Sequence, residues 1–139
     1  MHSIFVYGTL KRGFPNHTAI KKTQAFIGRF QTCERYELVL TAPWYSPVMI
    51  DERGAGHNVV GEVFAADAEA LAELDRLEGT HLPTGYRRIE VQVQNIDTGA
   101  MIVAWVYVKS RLLIDQVVSA PMAEYSIDPR YVPPSRRSI

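Results

Sequence analysis

The chain has 139 residues, a length that accommodates about one domain. Lys and Arg together number 15, as do Asp and Glu, so the formal net charge is zero; this argues against broad nucleic-acid binding, which needs a basic surface. The one cysteine, Cys33, excludes an intramolecular disulfide and a multi-cysteine metal site. No apolar run approaches the roughly 20 residues of a membrane helix, and the N-terminus lacks the basic start of a secretory signal. We therefore expect residues 1–139 to form a single cytoplasmic domain that binds neither nucleic acid nor membrane.

The first half of the chain is predicted to form mainly strands. A short apolar run at 3–7 predicts a buried strand, and the glycine-started stretch 8–13 predicts a loop. Asn16 is a suitable N-cap for a short helix that reaches about Lys22. Further strands are predicted at 25–31, 35–41, 48–50 and 59–66, where β-branched and aromatic residues are frequent.

The second half contains the clearest helix and a hairpin. Asp67 is a good N-cap, residues 68–78 are strong helix formers, and Gly79 suits the position that ends the helix. Strands at 86–94 and 101–108, joined by a tight turn, predict a hairpin. Residues 112–118 predict a helical turn or loop, and we expect the tail from about residue 130 to be mobile. Because strands outnumber helices, the pattern predicts an α+β domain built on a mostly antiparallel, barrel-like sheet.

The loop after the first strand is the first feature that suggests chemistry. Gly8 and Gly13 have the spacing of a phosphate-binding P-loop, but Phe14 and Pro15 replace the Lys and Ser/Thr that contact phosphate and magnesium. Nucleotide binding is therefore excluded for this loop. Its consecutive backbone N–H groups could still face an anion or an oxyanion. The alternative is a plain turn between a strand and a helix.

Glu78 is the second such feature. Leu71, Leu74 and Leu77 mark the apolar face of the predicted helix, and Glu78 projects between them at the edge of the core. Burial there, next to the negative end of the helix dipole, raises the pKa of a carboxyl group towards the range that a general acid/base needs. The alternative is a Glu of the last helical turn that pairs with a nearby arginine, Arg87 or Arg88.

Other polar residues carry weaker signals. Glu62 lies within a predicted strand and is either a second inward carboxylate or an edge residue, and Asp75 could hydrogen-bond nearby backbone. The four histidines have no metal-ligand spacing: His2, His17, His57 and His81. No nucleophile motif surrounds a serine or Cys33. We accordingly expect neither a metal nor another cofactor.

Three segments together resemble one known family. Residues 5–13, FVYGTLKRG, resemble the YGTLKRG motif of the gamma-glutamylcyclotransferase-like (AIG2-like) superfamily. Residues 60–64, VGEVF, resemble the central GEVY-type strand of that superfamily. Residues 74–79, LDRLEG, followed by Tyr86-Arg87-Arg88, resemble its LDxxE and YxR segment. The likeness covers about residues 3–108 in order. It is strongest to members that act on γ-glutamylamines, which also continue with Pro-Asn-His after the first motif.

The resemblance implies a mixed β-barrel with a few short helices, whose cavity binds a small γ-glutamyl substrate. Family members cyclise the γ-glutamyl group to 5-oxoproline and release an amine. The resemblance implies that Glu78 corresponds to the catalytic glutamate of the family. The substrate-binding loop of the family corresponds to Tyr7, Gly8, Thr9 and Leu10, and Tyr86 lies near the position of a tyrosine in the family's substrate pocket.

Two other functions stay open at this point. The C-terminal 30 residues or so match the family poorly, which would suit a non-catalytic module that binds small molecules on the same fold. A cyclotransferase for a larger conjugate is also compatible, because Pro-rich segments at 43–47 and 129–134 could line a wide cavity mouth. The sequence identifies neither the leaving amine nor the oligomeric state.

Overall fold

The computed structural model describes residues 1–20 and 25–137. Its elements in chain order are β1 (His2–Val6), a 3-10 turn (His17–Ile20), β2 (Ala25–Thr41), β3 (Ser46–Arg53), β4 (His57–Ala66), α1 (Ala68–Glu78), β5 (Arg87–Asn95), β6 (Met101–Val108) and two further 3-10 turns (Arg111–Leu113 and Pro134–Arg136). Within these described ranges, no helix combines the length and apolar character that crossing a membrane requires.

Five strands close into a barrel. The strand order is β3-β2-β4-β1-β6-β5, and β2 also pairs with β5, so the ring β2-β4-β1-β6-β5 is complete and β3 extends it at the edge of β2. Strand β1 pairs antiparallel with β4 and parallel with β6. The expected α+β fold, a mixed barrel with a few short helices, is confirmed.

Strand β1 is buried on both faces, because successive side chains of a strand point to opposite sides. Ile4 and Val6 face outwards and pack against helix α1. Phe5 and Tyr7 face the barrel interior. Each buried apolar side chain stabilises the fold by about 2 kcal/mol, so β1 is held firmly up to the point where the loop at Gly8 begins.

Helix α1 has the bounds that its capping residues predict. The Asp67 carboxylate accepts a hydrogen bond of 2.8 Å from the Ala70 N–H, and Gly79 ends the helix in the left-handed conformation at φ 69°. Leu71 and Leu74 are buried. Leu77 was expected on the same buried face, but it is 57% exposed. It faces an open cavity rather than packed core, which corrects that expectation.

Strand β2 is longer than predicted. The separate strands expected at 25–31 and 35–41 form one strand whose register shifts between Gln31 and Arg35. The irregular stretch is stabilised by Thr32, whose hydroxyl accepts a hydrogen bond from the Val59 N–H at 2.8 Å. A bulge of this kind bends a strand, and β2 pairs with β3, β4 and β5 along its length. Strand β3 is also longer than the predicted strand at 48–50, because it is paired with β2 up to both of its ends.

The helix predicted after Asn16 is a 3-10 turn, and the part of it expected at residues 21 and 22 lies outside the described residues. The amide nitrogen of Asn16 donates to the Thr9 hydroxyl at 2.9 Å and to the Tyr131 hydroxyl at 2.7 Å. These tertiary contacts tie the turn to the loop after β1 and to the C-terminal segment.

The C-terminal segment (residues 111–137) runs back over the barrel. The Val132 N–H donates to the Trp44 carbonyl at 3.0 Å, and Tyr131 is buried. Residues 131–137, part of the tail for which we expected mobility, thus lie against the turn between β2 and β3 and against the start of β3. This packing brings the end of the described chain next to the loop that follows β1.

Gly61 provides a test of the contact between β1 and β4. A Cβ atom at this position would lie 2.3 Å from the Val6 carbonyl oxygen and 2.8 Å from the Phe5 ring. We expect Gly61→Ala to lower the free energy of unfolding by about 3 kcal/mol, because both neighbours are buried and must shift. Chemical denaturation measures the change.

Gly99→Ala is the matched control for this prediction. Gly99 has a positive φ of 79°, but the nearest atom to an added Cβ would be 3.9 Å away. Its cost should be about 1 kcal/mol, the penalty of the backbone conformation alone. Equal losses in the two variants would contradict the close approach of β4 to β1.

Candidate active site

The cavity lies where the loop after β1, the end of α1 and the C-terminal segment meet. Its volume is about 580 Å³, within the usual range for a small-molecule site. All six residues expected to act in catalysis or substrate binding line it: Tyr7, Gly8, Thr9, Leu10, Glu78 and Tyr86. The packing of α1 on β1 thus brings Gly8 and Glu78, which are 70 positions apart in the sequence, to the same cavity.

Hydrogen bonds of Lys11 and Arg12 anchor the loop after β1. The Lys11 ammonium is buried and donates to the Tyr125 carbonyl at 2.7 Å. The Arg12 N–H donates to the Glu62 carboxylate at 2.8 Å. These contacts settle the two readings of Glu62: it supports the loop from the outer side and is not among the residues that line the cavity. The loop backbone is therefore fixed without using the N–H groups of Gly8, Thr9 and Leu10, for which no described residue is an acceptor.

Glu78 is the last residue of α1. The helix ends here because Gly79 turns the chain, and the Glu78 carbonyl accepts a hydrogen bond from the Tyr86 N–H at 3.0 Å. The side chain is partly buried and lines the cavity. It does not form the ion pair considered as an alternative: Arg87 lies 4.0 Å from Asp51, and Arg88 lies 3.5 Å from Asp75.

The surroundings of Glu78 raise its pKa. Burial in the cavity wall raises the pKa from 4.5 to about 7, and the positive charge of Lys109 opposes this rise. Burial lowers the pKa of Lys109 in turn, while Glu78 raises it. A carboxyl group with a pKa near 7 can both accept and donate a proton at neutral pH.

Three tyrosines lie near enough to Glu78 for its charge to raise their pKa: Tyr7, Tyr86 and Tyr107. The Tyr7 hydroxyl donates to the Tyr107 carbonyl at 2.8 Å, and the Tyr107 hydroxyl donates to the Asp75 carboxylate at 2.8 Å. Burial raises the pKa of Tyr7, Tyr86 and Tyr107, so all three stay neutral at physiological pH. The Asp75 carboxylate thus binds a side chain of β6 and Arg88, rather than nearby backbone as expected.

Sequence reasoning missed several residues of the site. Lys109 directly follows β6, and its ammonium lies 4.6 Å from the centre of the Tyr86 ring. Arg137 lines the cavity from the C-terminal segment, together with Tyr131 and Trp44. The Pro-rich segments expected at the cavity mouth do contribute Pro43, Pro47 and Pro134 to its wall. That composition was the only sequence signal for this side of the cavity.

The described residues also bear on metal binding. Across residues 1–20 and 25–137, no group of three or more His, Cys, Asp or Glu side chains is arranged to hold a metal ion.

Comparison with known proteins identifies the class. The sequence profile of the family described as gamma-glutamyl cyclotransferase, AIG2-like, matches residues 4–126. The chain belongs to this family, as its motifs indicated, and it is a cyclotransferase-type enzyme.

Individual relatives agree with this assignment. The chain is 38% identical over 104 residues to the Homo sapiens gamma-glutamylaminecyclotransferase, covering 72% of this chain and 67% of that protein. It is 34% identical over 116 residues to gamma-glutamylaminecyclotransferase C of Danio rerio, covering 78% and 75%. The crystal structure of an AIG2-like protein from Mus musculus superposes with a TM-score of 0.83 at 32% identity, and the match covers 99% of both chains.

The raised pKa of Glu78 predicts how stability depends on pH. The unfolded chain releases this proton above about 4.5, whereas the folded protein holds it up to about 7. Wild-type stability attributable to this group is therefore full below pH 4.5 and is lost as the pH rises to about 7. Because glutamine does not titrate, the free energy of unfolding of Glu78→Gln should fall over this pH interval by about 2 kcal/mol less than that of wild type. This value is discounted for the partial exposure of the carboxyl group.

Denaturant unfolding at about pH 4.5 and about pH 8 measures the difference. Glu69→Gln is the matched control, because Glu69 lies on the exposed side of the same helix. If wild type and Glu78→Gln lost the same stability over this interval, Glu78 would titrate in its ordinary range.

Proposed function

We propose that the chain converts a γ-glutamylamine to 5-oxoproline and the free amine, with Glu78 as the general acid/base. The observation that carries this proposal is the shared cavity of Glu78 and the loop Tyr7–Leu10. The relatives named gamma-glutamylaminecyclotransferase in Homo sapiens and Danio rerio support the choice of a γ-glutamylamine.

The substrate contains its own nucleophile. The α-amine of a γ-glutamylamine can attack the δ-carbonyl carbon and close a five-membered ring. Because the reaction is intramolecular, an enzyme that holds the chain in a folded conformation supplies much of the required proximity. The rest of its task is to move two protons from the α-nitrogen to the leaving nitrogen and to stabilise the charge that develops on the carbonyl oxygen.

Glu78 can perform both proton transfers. The substrate amine binds as an ammonium group, and the Glu78 carboxylate takes one of its protons. The amine nitrogen then forms a bond to the δ-carbon, and the carbonyl becomes a tetrahedral oxyanion. As the bond from the δ-carbon to the leaving nitrogen breaks, Glu78 returns its proton to that nitrogen. The carboxylate then takes the second proton from the ring nitrogen and passes it to the released amine, so the products are the 5-oxoproline carboxylate and an ammonium ion. A pKa of about 7 suits a group that must carry the proton in both directions.

The loop after β1 supplies the hydrogen-bond donors in this mechanism. The N–H groups of Gly8, Thr9 and Leu10 have no acceptor among the described residues, and donors held in a fixed position stabilise an oxyanion well. Lys11, Arg12 and Asn16 anchor the loop through side-chain or backbone contacts. The loop therefore need not rearrange when charge develops. Tyr86 also lines the cavity, and the Lys109 ammonium lies 4.6 Å from the centre of its ring.

The domain assignment is part of the same proposal. Strand β1, helix α1 and the C-terminal segment all contribute to one cavity, through Tyr7, Glu78 and Tyr131. We infer that residues 1–139 act as one domain, since removing the C-terminal segment would leave the cavity open on one side.

The main test is 5-oxoproline release from γ-glutamylamines by wild type and Glu78→Gln. The substitution keeps the shape of the side chain and removes the proton carrier, so we expect kcat to fall by about 100-fold to 10,000-fold. Glu69→Gln makes the same chemical change outside the cavity and should match wild type. Turnover by Glu78→Gln at the wild-type rate would contradict the mechanism, and binding of γ-glutamyl compounds without turnover by wild type would favour a binding module instead.

The pH profile provides a second test. Because only the carboxylate form of Glu78 accepts the ammonium proton, kcat/KM should rise with pH to a plateau, with a midpoint near 7. Lys109 lowers the pKa of Glu78, so Lys109→Met should move this midpoint to higher pH. Steady-state kinetics between about pH 5 and about pH 9 resolves the shift. A midpoint that stays in place in Lys109→Met would mean that another group sets the profile.

A further inference from the structure

Hydrogen bonds to its carbonyl groups determine which way the loop after β1 presents its N–H groups. The Gly8 carbonyl accepts from the Lys11 N–H at 3.2 Å, and the Thr9 carbonyl accepts from the Asn16 N–H at 2.9 Å. In a planar trans peptide group, the C=O and the N–H that follows it point in opposite directions. These two bonds therefore direct the N–H groups of Thr9 and Leu10 away from the atoms that bind the two carbonyl groups, and both residues line the cavity.

His17 binds the third carbonyl group of the loop. Its Nδ1 atom lies 2.9 Å from the Leu10 carbonyl oxygen. Because a carbonyl oxygen can only accept a hydrogen bond, Nδ1 carries the proton in this contact. The N–H of the same Leu10–Lys11 peptide group points the opposite way, and it is the donor to the Gly8 carbonyl. The imidazole thus acts on the Thr9 N–H through two peptide groups in series.

The imidazole ring is itself held in place. Its centre lies 5.7 Å from that of the buried Phe64 ring on β4, and the backbone N–H of His17 donates to the Phe14 carbonyl at 3.1 Å. His17 is half-buried and is not among the described residues that line the cavity. Any effect of this side chain on a substrate in the cavity must therefore pass through the loop.

We propose that His17 is a positioning residue: its Nδ1–H holds the Leu10 carbonyl and thereby keeps the Thr9 N–H directed at the oxyanion of the reaction. This inference rests on the proposed function, because it concerns the donors of the same mechanism. Such donors stabilise a transition state most when their direction is fixed before charge develops. Without the bond to His17, the Leu10–Lys11 peptide group is free to rotate, and the Gly8 carbonyl then loses the partner that orients the next N–H.

Two substitutions separate the hydrogen bond from the packing of the ring. His17→Asn keeps an N–H donor at the δ position and removes the ring, whereas His17→Phe keeps a ring against Phe64 and removes the donor. The assay is 5-oxoproline release from the γ-glutamylamine that wild type turns over fastest. We expect kcat to fall by about 10-fold to 100-fold in His17→Phe with KM unchanged, because part of the oxyanion stabilisation is lost. His17→Asn should lose no more than about threefold, although its packing is the poorer of the two.

His57→Phe is the matched control. His57 is an exposed histidine at the start of β4 and does not line the cavity, so the same chemical change there should leave kcat and KM at their wild-type values. Circular dichroism gives the folded fraction of each variant, and kcat is expressed per folded molecule.

The position of the proton on His17 provides a readout besides activity. At about pH 8.5 an ordinary imidazole carries one proton. A long-range ¹H–¹⁵N correlation spectrum of the wild-type protein should show this proton on Nδ1 of His17, where the Leu10 carbonyl can accept it.

The outcomes separate this inference from the proposed function. If wild type releases no 5-oxoproline from any γ-glutamylamine, the proposed function fails and the catalytic part of this inference fails with it. If wild type is active but His17→Phe matches it, or if His17→Asn loses as much as His17→Phe, the function stands and the inference is overturned. A change in KM alone would also overturn it, since the loop would then act on the bound substrate and not on the oxyanion. A proton on Nε2 of His17 would overturn it without reference to activity.

Discussion

The two-sided burial of β1 is the constraint on which the rest of the site depends. Its inner face fills the barrel with Phe5, and its outer face packs on α1 through Ile4 and Val6. Because the same short strand anchors both the barrel and the helix, the loop at its end and the last turn of α1 must meet at one end of the barrel. The cavity follows from this geometry, and Glu78 lines it as the last residue of α1, which Gly79 ends.

Placing a carboxyl group in this cavity has an energetic cost that the fold reduces only in part. Burial disfavours the charged form of Glu78, and one nearby cation, Lys109, favours it. Neither effect removes the other, and the resulting pKa of about 7 leaves both protonation states populated under physiological conditions. A closer cation would lower this pKa further, and the loss of Lys109 would raise it. Activity of the proposed kind needs the intermediate case.

Local patterns predicted the elements whose ends are determined by neighbouring residues. The bounds of α1 follow from Asp67 and Gly79, and the β5–β6 hairpin follows from its alternation and turn. The sequence alone also pointed to Glu78 and the loop Tyr7–Leu10, partly through their resemblance to known motifs. What these positions do in catalysis stays a prediction.

Features that depend on distant contacts could not be predicted in this way. Strand β2 is continuous because Thr32 binds the backbone of β4, and Leu77 is exposed because a cavity lies opposite it. Arg137 has no local pattern that marks it, since its place is determined by Ser46, 91 positions earlier in the chain. Asn16 similarly matches a helix cap in sequence, although its partners in the fold are Thr9 and Tyr131.

The anchoring of the loop has a consequence for the order of folding. Lys11 and Asn16 hold it through Tyr125 and Tyr131, contacts that span 114 and 115 positions. Contacts of such high sequence separation form late, because the loop-closure entropy must first be overcome. Local pairs such as the β5–β6 hairpin can therefore form before the cavity exists, whereas the pairing of β1 with β6 and the anchoring of the loop both belong to a late stage. Conversely, a local opening of the C-terminal segment would disassemble the cavity while the barrel stays folded.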